Sequence, residues 1–188
     1  MKWKIVGPLA AVVVALGVLF FLTRGPDPVI KLPGREPVWE FDLRDLRRVE
    51  IAMDLEGLRH AWYQSEDDLL WYFDEPGTPP VDLDRWGGGV PYLLSGPGAN
   101  RLITDEATDR DLENYGLDGP RMAIHLEHAA EHTGRRGRFD LLIGDQTIDG
   151  ISYYIMLGGT REVFTIDYTW YDIMERLVVD PPYLPASP

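Results

Sequence analysis

The sequence predicts an α+β fold, in which an antiparallel sheet carries helices at the ends of its strand runs. Short segments with alternating or aromatic-rich residues recur along the chain, and turns containing Gly, Pro or Asp separate them. Helical patterns follow runs of adjacent strands and do not alternate with single strands, which favours α+β over a parallel α/β sheet. A transmembrane helix precedes this domain. Whether a β-β-β-α unit is duplicated stays open, because the two halves share little residue identity.

The N-terminal helix is predicted from eighteen consecutive uncharged residues, 5–22. At about 1.5 Å per residue this run covers most of a hydrocarbon core roughly 30 Å thick. Lys2 and Lys4 precede the run and Arg24 follows it, so the positive-inside rule keeps the N-terminus cytoplasmic and places the remaining chain outside the cytoplasm. The predicted membrane-facing residues are Ile5, Leu9, Val13, Leu16, Phe20 and Phe21.

A cleaved signal peptide is the alternative interpretation of the same run. Signal peptides have an apolar region of about 7–15 residues that ends at a small-x-small cleavage site. This run is longer, it ends in the bulky Phe20-Phe21-Leu22, and Pro26 follows shortly after. We therefore predict an uncleaved anchor in the cell membrane.

Composition divides the chain into four parts. Residues 1–24 are the anchor, residues 25–37 are a Pro- and Gly-rich linker, and residues 180–188 are a Pro-rich tail. Residues 38–179 form the predicted extracytoplasmic domain, with candidate halves at 38–100 and 101–179. Six Trp, nine Tyr and six Phe indicate a folded core, which must form without disulfides because the chain has no cysteine.

The charge of the domain limits its partners. All 31 acidic residues follow Arg24, together with only 15 basic ones, which leaves a formal charge of −16 after the anchor. Such a surface repels phosphate backbones and anionic lipid headgroups. Nucleic acid is therefore excluded as a partner.

Hydrophobic periodicity gives the order of the elements. A helix is expected over residues 82–94, broken or in two parts because of Gly87–Gly89 and Pro91, and another from Thr108 to Tyr115, ended by Gly116. A third helix covers residues 168–178. Strands are expected at residues 49–53, 58–64, 69–73, 101–103, 122–127, 139–143, 152–157 and 163–166.

Three histidines form the most suggestive chemical cluster. On a helix, His125, His128 and His132 would share one face and could ligate zinc. However, residues 122–127 alternate as a strand, which puts His125 on the face opposite Met122, and residues 129–138 then form a polar hairpin loop. We favour the loop over the metal site, since neither an H-E-x-x-H pattern nor a cysteine accompanies it.

Other catalytic patterns are weaker still. The four serines lie outside a G-x-S-x-G elbow, Gly87–Gly89 lacks the Lys of a phosphate-binding loop, and the acidic residues after Asp105 fit a helix N-terminus better than a calcium loop. Neither an enzymatic activity nor a cofactor is predicted. The alternative of a binding groove comes from the tryptophans, because Trp39, Trp62, Trp71, Trp86 and Trp170 could stack on a glycan or a partner helix, although strand aromatics are more often core.

Four motifs together resemble one uncharacterised bacterial family, the "domain of unknown function 4340". They are the Y-G-L-D-G-P run at 115–120, the L-L-I-G-D-Q-T run at 141–147, the D-G-I-S-Y-Y run at 149–154 and the R-L-V-V run at 176–179. The resemblance covers residues 38–182. It implies a membrane-anchored extracytoplasmic protein, in a family of which some members are encoded beside transporter components of gliding-motility type, and it implies no catalytic residues.

The glycines and prolines of these motifs are expected to determine the fold and not to act chemically. Gly116 ends a helix in the left-handed conformation and Pro120 prevents it from resuming. Gly144 and Asp145 are expected in a loop between strands, as is Gly150 after Asp149.

These observations predict a non-enzymatic, single-pass membrane protein that is an accessory or scaffold subunit of a larger membrane complex. Its partners are then the lipid bilayer and other membrane-protein subunits. An extracytoplasmic ligand- or glycan-binding module is the first alternative, and a metal-dependent hydrolase is the second.

Overall fold

The computed structural model describes residues 38–54, 58–65, 70–86, 89–129 and 137–185, all of which belong to one compact unit. The predicted anchor, with Ile5, Leu9, Val13, Leu16, Phe20 and Phe21, and the predicted linker lie outside these ranges. Within them, none of the helices combines the length and the apolar sequence that a membrane span requires.

The described residues form a mostly antiparallel sheet of eight strands in the order β3-β2-β1-β5-β6-β7-β8-β4. This confirms the α+β class. The strands are β1 (Leu46–Asp54), β2 (Leu58–Ser65), β3 (Trp71–Phe73), β4 (Arg101–Thr104), β5 (Met122–His128), β6 (Gly137–Gln146), β7 (Ser152–Leu157) and β8 (Val163–Asp167).

Four α-helices accompany the sheet in the described ranges. They are α1 (Leu83–Trp86), α2 (Gly89–Ser95), α3 (Asp109–Asn114) and α4 (Tyr168–Val179), and a single 3-10 turn, Leu43–Asp45, precedes β1. The expected two-part helix over residues 82–94 is confirmed as α1 and α2. Each strand that the periodicity predicts is also present, within a few residues of its expected ends.

The main core lies between one face of the sheet and helices α1, α2 and α4. Alternation along β5 buries Met122, Ile124 and Leu126 completely on this face. Helix α4 contributes Trp170 and Met174 to the same core, and the Trp170 indole donates a hydrogen bond to the Leu93 carbonyl over 3.3 Å. The sheet is therefore closed on this side by helices from both halves of the sequence.

The opposite face of the sheet is covered only in part. Helix α3 and its flanking residues build a second, smaller core there, in which Leu117 packs with Met156 of β7 and Val163 of β8. At the other end of the sheet the corresponding positions of β1, β2 and β5 carry polar or half-buried side chains. This uncovered region, the open polar face, carries His60 and His125.

Helix α3 ends as the sequence predicts. Its N-cap Thr108 forms a capping box with Asp111, whose pKa is lowered by the hydrogen bonds that Thr108 donates. At the other end Gly116 has a φ of +65°, and the Leu117 amide donates to the Leu112 carbonyl over 2.8 Å. The chain then reaches β5 through Pro120.

Gly144 and Asp145 contradict the expectation of a loop. Both lie within β6, at a register shift against β7 between Ile143 and Gln146. The shift brings β6 against the end of α3, where the Asp145 amide donates to the Tyr115 carbonyl over 2.7 Å. The glycine is needed for this close approach and not for a turn. Gly150, in contrast, lies in the predicted turn with a φ of +75°.

Candidate functional site

A row of four side chains crosses the open polar face. Trp62 of β2 lies opposite Glu50 of β1, Glu50 lies opposite His125 of β5, and His125 lies opposite Asp140 of β6. Directly opposed residues of antiparallel strands have side chains within contact distance. Strand register therefore assembles this cross-strand row from four segments that are distant in sequence.

The histidine of the row is held by a carboxylate. His125 Nδ1 lies 2.5 Å from Asp140 Oδ1, and the Arg138 guanidinium donates to the same oxygen over 2.9 Å. Burial by itself would raise the pKa of Asp140, but the hydrogen bonds from His125 and Arg138 outweigh it and lower that pKa below its ordinary value. A histidine held by an aspartate resembles part of a catalytic triad, yet the row offers no hydroxyl or thiol nucleophile beside it.

The ionised form of Asp140 is expected to stabilise the fold. Because its pKa is lower in the folded state than in the unfolded state, its contribution is present above the unfolded pKa and is lost as pH falls through the folded pKa. We expect D140N to lower the free energy of unfolding at pH 7 by less than about 1 kcal/mol, as for exposed ion pairs. Denaturant unfolding of both proteins at pH 7 and near pH 3 measures this. A difference that grows at the lower pH would contradict it.

The three candidate metal ligands do not form a site in the described residues. His125 and His128 are three positions apart on one strand, so their side chains leave opposite faces of the sheet. His128 is buried and packs against the rings of Phe41 and Phe139, with centroid distances of 5.1 and 5.2 Å. His132 lies outside the described residues. The described ranges hold no group of three His, Cys, Asp or Glu that could bind a metal ion.

The five tryptophans do not line one groove either. Trp39, Trp71, Trp86 and Trp170 are buried in the main core, where hydrophobic packing accounts for them. Trp62 alone among the five is exposed, at 39%, and its ring stacks on His60 with centroids 5.0 Å apart. A groove built from all five is therefore excluded.

A polar cavity of about 380 Å³ lies near the β4 end of the sheet. We call it the edge cavity, and its lining residues are Asn100, Arg101, Thr147, Ile148, Asp149, Ile151, Ser152, Tyr154, Thr165 and Asp167. The Asn100 amide donates to Ser152 Oγ over 2.9 Å, whereas Asn100 Oδ1 is buried and accepts no hydrogen bond from the described residues. A buried carbonyl oxygen without a donor costs free energy.

Two exposed isoleucines lie at this cavity. Ile148 is fully exposed in the turn between β6 and β7, and Ile151 is more than half exposed. The turn is rigid, since Asp149 Oδ1 accepts hydrogen bonds from the Thr147 hydroxyl at 2.6 Å and the Ile151 amide at 3.2 Å. Both bonds lower the pKa of Asp149, and the bond from the Thr147 hydroxyl has the larger effect.

The two edges of the sheet differ. Residues 79–81 pass along the β3 edge, where the Val81 amide donates to the Trp71 carbonyl and Val81 also bridges to Tyr183. Within the described ranges, β4 pairs with β8 alone. Among the described residues, its outer edge therefore has no partner strand, and Arg101 of β4 lines the edge cavity.

The sequence contained a signal for the edge cavity that hydrophobic periodicity did not use. Two isoleucines, Ile148 and Ile151, flank the Asp149-Gly150 turn, where polar residues are usual. No comparable signal marked Asn100, because its burial depends on the packing of β4 against β7 and β8.

Comparison with protein families finds a match to "Domain of unknown function (DUF4340)" over residues 71–177, more than half of the chain. The chain belongs to this family. Neither the curated proteins nor the solved structures gave a match.

The DUF4340 match covers the whole lining of the edge cavity but only part of the open polar face. Every residue that lines the edge cavity lies between residues 71 and 177, as do Gly116, Pro120, Gly144, Asp145 and Gly150. Glu50, His60 and Trp62 of the open polar face lie before the matched region, whereas His125 and Asp140 of the same face lie inside it. Whatever members of the DUF4340 family share, the edge cavity lies in the shared part of this chain.

Proposed function

We propose that this chain is a non-enzymatic accessory subunit of a membrane complex, anchored by residues 5–22, whose extracytoplasmic domain binds another subunit at the β4 edge. One observation carries the proposal: within the described residues, a strand edge without a partner strand and two exposed isoleucines, Ile148 and Ile151, occur together at the edge cavity. The uncharged N-terminal run and its flanking lysines support the location in the cell membrane.

The partner that this surface fits is an extended segment with apolar side chains. An open edge adds a strand by main-chain hydrogen bonds, and side-chain pockets beside it supply specificity. Ile148 and Ile151 are exposed on the turn that lines the cavity, and Arg101 of β4 lies in the same lining. A contiguous apolar patch on a rigid turn is typical of protein contact sites, whereas single exposed apolar residues are ordinary.

The floor of the cavity adds a polar requirement. Asp149 and Asp167 place carboxylates in the lining. We therefore expect the partner segment to present an amide or a hydroxyl to these carboxylates, between apolar residues that cover the isoleucines.

Photocrosslinking in native membranes tests this assignment. A benzophenone amino acid at position 148 is expected to give a discrete adduct with an integral membrane protein, and the same amino acid at the exposed Tyr92 of α2 is the control. The double variant Ile148→Glu and Ile151→Glu is expected to reduce recovery of that protein on purification roughly tenfold. It replaces the two central apolar residues of the contact by carboxylates, which are costly to bury.

Two results would contradict the proposal. One is an equal adduct yield from positions 148 and 92. The other is full recovery of the partner with the double variant, provided that circular dichroism shows an unchanged fold.

We also propose that the domain is a duplicated β-β-β-α unit. Strands β1 and β5 are antiparallel neighbours at the centre, and the runs that begin with them extend outward in opposite directions. Helices after each run contribute to the same core, as Leu94 and Met174 do. Superposing β1–β3 on β5–β7 tests the duplication, which fails if buried positions of one run coincide with exposed positions of the other.

A further inference from the structure

A second cleft, of about 270 Å³, lies at the opposite end of the sheet from the edge cavity, between β2, β3 and the C-terminal tail. Its walls include Trp62, His60, Phe73 and Tyr183, and its carboxylates are Asp74 and Glu75. We call it the aromatic cleft. It shares no residue with the edge cavity, so a ligand bound there is independent of the proposed function.

Two stacked pairs of rings make the walls. Trp62 stacks on His60 with centroids 5.0 Å apart and planes within 5° of parallel. Tyr183 stacks on Phe73 at 4.0 Å and 14°, and the phenol ring remains 43% exposed. Each exposed ring is thus fixed in orientation by a partner behind it, which lowers the entropy that a ligand must remove on binding.

The carboxylates are fixed as well. The Tyr183 hydroxyl donates to Glu75 Oε2 over 3.1 Å, and burial together with this bond raises the pKa of Tyr183, so the phenol stays protonated. Asp74 forms an ion pair with Arg48, which leaves Glu75 as the main negative charge of the cleft. The described lining includes neither lysine nor arginine.

Rings and a carboxylate around one small space attract a cation. The face of an aromatic ring is negative, so a ligand cation over Trp or Tyr is stabilised electrostatically, and a carboxylate adds to the attraction. The volume of about 270 Å³ lies just below the range for small-molecule sites, about 300–1,000 Å³. A cleft of this volume suits one cationic group better than a whole saccharide. A neutral saccharide would also leave the charge of Glu75 without a counter-charge.

We propose that the aromatic cleft binds an organic ammonium group. Trp62 and Tyr183 contact its methyl or methylene groups, and Glu75 provides the counter-charge. A free amine and the headgroup of a zwitterionic lipid carry the same ammonium chemistry, and the experiment separates the two sources.

Titration of the full chain with choline chloride tests the proposal, in maltoside detergent so that no choline lipid is present. The readout is the indole N–H resonance of Trp62 in ¹⁵N–¹H spectra, assigned by its loss in Trp62→Phe. We expect a saturable shift, and no shift with the neutral carbon isostere of choline. Trp62→Ala and Glu75→Gln are expected to weaken binding, measured by calorimetry, roughly tenfold and severalfold. Tyr92→Ala, which removes an exposed ring outside the cleft, is expected to leave the affinity unchanged.

A second experiment distinguishes a free amine from a lipid headgroup as the source of the ammonium group. The same protein is placed in nanodiscs of phosphatidylglycerol, which contain no choline, and phosphatidylcholine vesicles are added. If phosphatidylcholine vesicles bind the protein and free choline displaces them, the lipid headgroup is the source, whereas binding of free choline alone indicates a soluble amine. Equal binding of the neutral isostere, an unchanged affinity in Trp62→Ala, or a response to oligosaccharides without a response to choline would overturn the proposal.

Discussion

Gly144→Ala is expected to destabilise the domain by about 3 kcal/mol, the cost of overpacking together with a lost hydrogen bond. A Cβ at this position would lie 2.1 Å from the Tyr115 carbonyl oxygen and 3.0 Å from the Gly116 carbonyl carbon. These are backbone atoms at the end of α3, so they cannot rotate away as a side chain can. The helix end must instead move off β6 and give up the bond between the Asp145 amide and Tyr115.

Denaturant unfolding followed by near-ultraviolet circular dichroism measures this loss of stability. Gly119→Ala is the matched control, because a Cβ there meets nothing within 4 Å. Gly119 lies in the connection between α3 and β5, which also contains Tyr115 and Gly116, the residues that Gly144 approaches. A Gly144→Ala protein as stable as the Gly119→Ala protein would show that β6 and α3 do not make this close approach.

Tyr63→Ala is expected to cost about 4 kcal/mol, the upper part of the range for removing a large buried side chain. Tyr63 is fully buried on β2, and its ring contacts Phe73 and Trp86 at centroid distances of 5.2 and 4.6 Å. Its hydroxyl donates to the Leu177 carbonyl in the last turn of α4. Carbonyls there have no partner within the helix, so the phenol caps the helix from the sheet.

Tyr63→Phe separates the two contributions. It keeps the ring and removes the hydroxyl, so we expect a loss of about 1 kcal/mol, the usual net contribution of one hydrogen bond. The two variants are compared by the same unfolding measurement. Equal losses from Phe and Ala would mean that the hydroxyl and not the ring holds α4 to the sheet, contrary to the packing of the ring on Phe73 and Trp86.

Local signals in the sequence predicted most of the elements. Alternation along β5 predicted that His125 would face away from Met122, and Thr108 and Gly116 marked both ends of α3. These features depend on neighbouring residues in the chain, whose spacing is visible in the sequence. The prediction that Gly144 lies in a loop failed, because the local sequence does not distinguish a glycine in a strand from a glycine in a turn. The contact that requires this glycine is with the backbone of Tyr115, almost thirty positions away.

The candidate sites could not be predicted for a related reason. The cross-strand row joins Trp62, Glu50, His125 and Asp140 only once the register of four strands is set. The aromatic cleft likewise needs Tyr183 of the tail to lie on Phe73 of β3. Strand register and tail placement follow from the whole core, and no short stretch of sequence contains them.

The pairing of β1 with β5 sets the folding behaviour of the domain. Ile51 lies opposite Ile124, so the two central strands meet only after the chain has closed a loop that contains β2, β3, β4 and three helices. Such non-local pairing slows folding and leaves strand edges open in partly synthesised chains. In a fragment that ends before β5, the edge of β1 that normally pairs with β5 would be unpaired along its whole length. The domain is therefore expected to fold as one cooperative unit only after synthesis has passed β5, and separate expression of the halves should give aggregation-prone products.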